Sequence, residues 1–233
     1  MIPLHLMAGD WADYHSTSLK GGRRSESTVR VQCIGSTETA DGRSWLIELI
    51  PLSEQTSGLV PIPGEGLLLQ LADGILRREG ALLELTERVV QWEDGMAREL
   101  SPEQWRDDPL VASSLESEFQ PESVEMTGST NRMLGRQKLA CDIFELADAD
   151  TQRISLPHGA MEQIVRWEVT AEVNSEVPFF GVVFISERTS SQSRLDPPSA
   201  RFTPPAPVIE VETMELIGYG SGADAILADK LPD

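Results

Sequence analysis

The stretch Val165-Arg166-Trp167-Glu168-Val169-Thr170-Ala171-Glu172-Val173 alternates apolar and polar residues almost without a fault. Successive side chains of a strand point to opposite faces, so a period of two predicts a β-strand with one dry and one wet face. A helix would need its apolar residues at steps of three and four instead. The same period recurs far upstream. Thr28-Val29-Arg30-Val31-Gln32-Cys33-Ile34 alternates and then meets Gly35. Ala40-Asp41-Gly42-Arg43 follows as a hairpin signal, because Asp-Gly suits the positive φ angles of tight turns. Ser44-Trp45-Leu46-Ile47-Glu48-Leu49-Ile50 returns as a strand expected to stop at Pro51, and Gly66 to Leu71 is a further apolar run between glycine-rich breaks.

Two readings compete for Gly80 to Leu100. Leu82, Leu85, Val89, Trp92 and Met96 form a helical stripe. Glu93-Asp94-Gly95 is equally a hairpin signal between Arg88–Trp92 and Met96–Leu100, and the surrounding meander favours two strands. One short helix is clearer: Ser101 as N-cap, Pro102 at the first helical position, Gln104 completing a capping box, and an end near Asp107-Asp108-Pro109. The acidic stretch Ser113 to Ser123 reads as a surface excursion. Leu139 to Leu146 and Thr151 to Leu156 read as two strands separated by a loop at Asp148-Ala149-Asp150, and Phe179 to Ile185 as a central strand weakened at Gly181. Thr189 to Pro207, rich in Ser and Pro, is expected to run as an extended surface segment without regular structure. Val208 to Ile217 is a last strand ending at Gly218. Roughly ten strands with turns between them predict one large antiparallel sheet, curved or closed, with one or two short helices. Residues 1–220 form a single β-rich domain, its Pro/Ser-rich surface segment lying near 189–207, and 221–233 form a flexible tail.

The chain has 233 residues, enough for a full hydrophobic core. Its formal net charge is −19, which excludes general binding to a nucleic-acid backbone and to anionic lipid surfaces. No apolar run is long enough for a transmembrane helix. Met1 to Gly9 is too short and too uncharged for a signal peptide, which leaves a cytoplasmic protein or one whose export signal lies outside this sequence. Cys33 and Cys141 read as buried small hydrophobes, with a disulfide as the alternative for an exported protein. Nucleophile elbows, phosphate loops and zinc spacings do not occur. Gly218-Tyr219-Gly220-Ser221-Gly222 lacks the lysine of a phosphate loop and reads as a flexible turn. His158 reads as a turn histidine, and the acidic pairs Asp107-Asp108 and Asp148/Asp150 as solvated loops. These readings assign no catalytic residue, metal or cofactor.

The aromatic residues carry the functional expectation. Trp45, Trp92 and Trp167 fall in expected strands, and core packing is their ordinary role. A curved sheet also leaves an apolar concavity, lined partly by Trp45, Trp167, Phe179 and Phe180, which would bind a lipid or another apolar small molecule. Three passages add a resemblance: Gly9-Asp10-Trp11-Ala12-Asp13-Tyr14, Ser175-Glu176-Val177-Pro178-Phe179-Phe180-Gly181-Val182-Val183, and Thr213-Met214-Glu215-Leu216-Ile217-Gly218-Tyr219-Gly220. Together they resemble uncharacterised bacterial envelope proteins similar to the lipoprotein-localisation-factor-like group. The resemblance implies an open half-barrel over a hydrophobic cavity, a periplasmic or envelope location, and no catalytic residues. The expectation is a non-enzymatic envelope protein holding an apolar ligand or a protein partner; the alternative is an acidic scaffold or interaction module without a small-molecule ligand.

Overall fold

The computed structural model describes residues 6–39, 42–77, 84–107, 126–156, 159–196 and 205–230. Twelve strands belong to one antiparallel sheet. They are β1 (Trp11–Lys20), β2 (Arg23–Thr39), β3 (Gly42–Gln55), β4 (Gly58–Pro61), β5 (Gly66–Ala72), β6 (Thr86–Glu93), β7 (Met96–Leu100), β8 (Met126–Leu134), β9 (Gln137–Leu156), β10 (Gly159–Val173), β11 (Val182–Asp196) and β12 (Val208–Gly220). Two short helices, α1 (Gly74–Arg77) and α2 (Pro102–Asp107), interrupt the meander. The spatial order is β7-β6-β5-β3-β2-β1-β12-β11-β10-β9-β8, with β4 pairing beside β3. Most neighbours in sequence are neighbours in space, and the last strand returns beside the first to join the two halves.

The sheet is curved but open: among the described residues β7 and β8, its two ends, form no ladder with each other. The β8 end rolls back on itself. Arg132 of β8 makes a bidentate ion pair with Glu172 of β10 at 2.6 and 2.9 Å, stands 4.1 Å from the ring centre of Phe184 on β11, and lies 3.7 Å from Glu215 on β12.

Two apolar cores sandwich the N-terminal half. The main one gathers Tyr14, Cys33, Ile47, Leu69, Val89 and Leu139, with Val177 and Phe179. The second holds Ile50, Leu68, Val90, Trp92 and Leu227. Leu68 and Leu69 are both buried, as are Val89 and Val90, so β5 and β6 are apolar on both faces, as covered central strands are. The hairpin at Asp94-Gly95 resolves the ambiguity in favour of strands over Thr86–Leu100, while 80–83 lie outside the described residues: φ is 51° at Asp94 and 79° at Gly95, the backbone of a type I′ turn. The capping box is also present, Ser101 N–H donating to Gln104 Oε1 at 2.9 Å and Gln104 N–H to Ser101 Oγ at 3.4 Å. Cys33 and Cys141 are both buried and free, and burial raises both thiol pKa values.

Several expectations need correction. β3 runs through Pro51, because that residue sits at the last rung to β2 and between the ladders to β5 and β4, where a missing N–H costs least. The two strands expected around Asp148-Ala149-Asp150 are one 20-residue strand, β9. The carboxylates that suggested a loop are exposed and accept the next backbone N–H, Ala149 and Thr151, each at 2.7 Å. β11 starts at Val182 rather than Phe179, since Phe179 (φ 62°) and Gly181 (φ 70°) turn the backbone out of the extended region first. Thr189 to Asp196, expected to be irregular, is strand: its backbone pairs with β10 as far as Asp196 and with β12 as far as Ser191. Polar side chains do not end this ladder, because it is held by backbone bonds and no core cluster lies against it to demand apolar ones. Pro205 to Pro207 have no regular structure, as expected. Residues 221–230, expected to be a flexible tail, are packed against the sheet. The Ala40-Asp41 turn tip, Ser113 to Ser123, His158, Pro197-Pro198 and residues 231–233 lie outside the described residues.

Candidate functional site

The structure does not bring the four aromatic candidates into one hollow. Phe179 is buried in the main core, and Trp45 packs on the same core while its Nε1 donates to Asp73 at 3.0 Å. Phe180 is exposed. Trp167 stands far from the core on β10, half-buried. Two open depressions on the described surface have other walls. One of about 490 Å³ is lined by Thr17, Leu19, Arg24, Val211 and Thr213; another of about 260 Å³ lies at the β6–β7 hairpin against Gln91, Met96 and Arg98.

Two built features do emerge. The first is the seat of the C-terminal strap. The chain leaves β12 and crosses β1, β2, β3 and β5 in turn. Ala223 N–H donates to the Gly9 carbonyl at 2.9 Å, and Gln32 Nε2 to the Asp224 carbonyl at 2.9 Å. Glu48, fully buried in the middle of β3, then accepts three consecutive backbone N–H groups: Ile226 at 3.0 Å, Leu227 at 2.8 Å and Ala228 at 2.7 Å. Gln32, its cross-strand partner, donates a fourth bond at 2.7 Å. A buried carboxylate needs such compensation, and successive amide groups aimed at one point form an anion nest. The strap also plugs the second core. Leu227 fills the space left by Gly66, where a Cβ would come within 2.7 Å of Leu227 Cδ1 and 2.8 Å of the Leu49 carbonyl oxygen. Gln32 Oε1 has no hydrogen-bond partner in this buried site.

The second feature is a projecting sheet arm. The outer β9–β10–β11 region runs beyond the small core of Phe144, Ala171 and Val173 with partly buried Ile185. Past the rung Phe144–Ala171–Ile185, no described residue of β9, β10 or β11 toward the tip belongs to any core cluster. The ladder continues outward without a bulge through Leu146–Val169, Asp148–Trp167, Asp150–Val165, Gln152–Gln163 and Ile154–Met161. All these residues share one face, because cross-strand partners point the same way and alternate residues repeat it. The dry face expected from the alternation of Val165 to Val173 is thus dry only at Ala171 and Val173. Val165, Trp167 and Val169 are half-buried, and Leu146 and Ile154 are exposed.

Sequence reasoning missed the strap seat, although a signal was present. Glu48 stands alone in a run that is apolar on both faces, and Ile226-Leu227 is an apolar pair after a glycine-rich turn. It also missed the openness of the arm, because alternation reports which side is apolar and not whether anything lies against it. No protein-family model matches the chain, and no curated protein matches it.

Proposed function

We propose that the protein is an interaction module whose working part is the β9–β10–β11 arm. The observation that supports this is that the face of the small core continues past its last core residue through Val169, Trp167 and Val165 with no core cluster against it, and resumes at Ile154–Met161 beyond the polar rung Gln152–Gln163. Isolated exposed apolar residues are normal, but a contiguous row rimmed by polar groups marks a contact surface. The main core reaches the base of the arm through Leu139, Cys141 and Val183, so the arm is anchored where it leaves the core and less ordering is needed when a partner binds. Photo-crosslinking residues placed at Trp167 and Arg166, on opposite faces of the arm, and at Glu99 on β7 test the reading in cell extract. Protein adducts from an arm position and not from Glu99 are expected. No adduct from either arm face overturns it.

A second reading, an apolar small molecule held on the sheet, is favoured by the depression of about 490 Å³ walled by Leu19 and Val211. Native mass spectrometry after gentle purification checks it: a reproducible lipid-sized adduct is expected, and a bare protein mass sinks it.

A further inference from the structure

The arm treats its two faces differently. On the face of Glu162, Arg166 and Glu168 most charges are matched: Glu162 binds Arg194 at 2.7 Å and Arg153 at 3.5 Å, and Glu168 binds Arg188 at 3.4 Å. The opposite face carries the apolar row, and every charge within that row is a carboxylate. Asp148 stands across from Trp167, Asp150 across from Val165, and Glu187 directly across from Glu212. Among the described residues Asp148 and Asp150 form no ion pair; each accepts the backbone N–H of the residue that follows it. Two exposed carboxylates two residues apart on one face of β9 repel each other, so an incoming cation is favoured beside Asp148 and Asp150. On the rung of Trp167 the sheet runs through Thr189 and Glu210 to Lys20 of β1, which is bound to Glu210 at 3.2 Å and so is not free to neutralise Asp148 or Asp150 on β9.

The geometry points to the occupant of this face as a basic amphipathic segment of a partner protein, which lays an apolar stripe along Leu146, Trp167, Val165 and Ile154 and sets Lys or Arg against Asp148 and Asp150. The inference rests on the interaction-module reading and names its partner's chemistry. Complementary potentials of this kind fix register and exclude wrong partners. A second copy of this chain is disfavoured, because two such faces would bring carboxylates against carboxylates.

The test uses the full chain and a fluorescent synthetic amphipathic peptide of leucine and lysine, read by anisotropy. Saturable binding that weakens with added salt is expected. Trp167→Ser weakens it about thirtyfold, the loss of one central aromatic anchor. Asp148→Asn with Asp150→Asn weakens it roughly fivefold. Glu54→Gln with Glu65→Gln, which removes the same two charges from exposed positions off the arm, leaves Kd within about twofold. Equal loss from both pairs would mean general attraction to an acidic protein and overturn the inference. So would wild-type affinity in Trp167→Ser, or equal binding of a peptide with glutamate in place of lysine. A dimer in sedimentation velocity that Trp167→Ser abolishes would assign the face to a second copy and also overturn it. Crosslinks from Arg166 but not Trp167 would sink this inference and leave the module reading standing; none from either would sink the module reading itself.

Discussion

Glu48 is the residue on which the strap depends. Its carboxylate is fully buried, among the described residues no cation pairs with it, and four N–H donors replace the water it has lost. Glu48→Ala leaves three strap amides without an acceptor, and we expect it to cost about 2–4 kcal/mol in urea unfolding. Glu48→Gln keeps one acceptor oxygen and should cost less; no measurable change in the alanine variant would refute this account of the strap. A second set of buried groups sets the alkaline limit. Burial raises the pKa of Tyr14, Cys33 and Cys141, so the folded protein keeps protons that the unfolded chain releases. Stability from these groups is complete below the ordinary thiol pKa near 8.5 and declines as pH climbs past it and past the ordinary tyrosine pKa near 10. The urea midpoint is therefore expected to drop between about pH 8 and pH 10.5, and replacing Cys33 and Cys141 by alanine should remove the earlier part of the drop. A midpoint flat across that range contradicts the burial of these groups.

At the scale of elements, the strands were legible wherever alternation or a doubly apolar run was clean, as in β2, β5 and β10, and the Asp94-Gly95 turn and the Ser101 cap announced themselves by residue type. What failed had a common cause. Thr189 to Asp196 and Asp148 to Asp150 look like loops because their side chains are polar, yet a strand outside the core clusters places little demand on its side chains and is held by backbone bonds. The strap failed for the opposite reason: ten residues with only two large apolar side chains look free until the seat made by Gln32, Glu48 and Gly66 is assembled from three strands remote in sequence. The ligand hollow was inferred from the sheet's curvature, but Phe179 and Trp45 are used to fill the main core instead. The fit of the strap to Gly66 is testable as a coupling. Leu227→Ala is expected to cost about 2–4 kcal/mol as a buried leucine truncation. Gly66→Ala is costly too, at φ 144° and with its new Cβ against Leu227. In the double variant part of the second penalty vanishes, so a double-mutant cycle should give a sum smaller than its parts by about 1 kcal/mol. Strict additivity would show that Leu227 does not occupy the Gly66 space.

The whole molecule is one continuous sheet with two different physical regimes. Around β3, β5 and β6 both faces are covered, by the main core on one side and the strap-capped core on the other. Along the outer β9–β10–β11 ladder neither face is covered by a core cluster, and β9 from Glu145 to Leu156 has β10 as its only strand neighbour among the described residues. Such an edge invites pairing with other chains unless charges guard it, and here Asp148, Asp150 and Arg153 stand along it. Backbone bonds in the two regions look alike on paper, but opening one costs the burial that surrounds it. Native-state hydrogen exchange should therefore split the sheet. Amides of β3 and β5 are expected to exchange only with global unfolding, while those of the outer rungs from Asp148–Trp167 to Ile154–Met161 open locally at a free energy lower by several kcal/mol. Adding the leucine–lysine peptide should raise protection in the outer rungs and leave β3 and β5 unchanged, because a partner on the arm supplies the cover that region lacks. Uniform protection from β3 to β9 would mean that the arm is as well supported as the core, and the separation of base from working surface would fall.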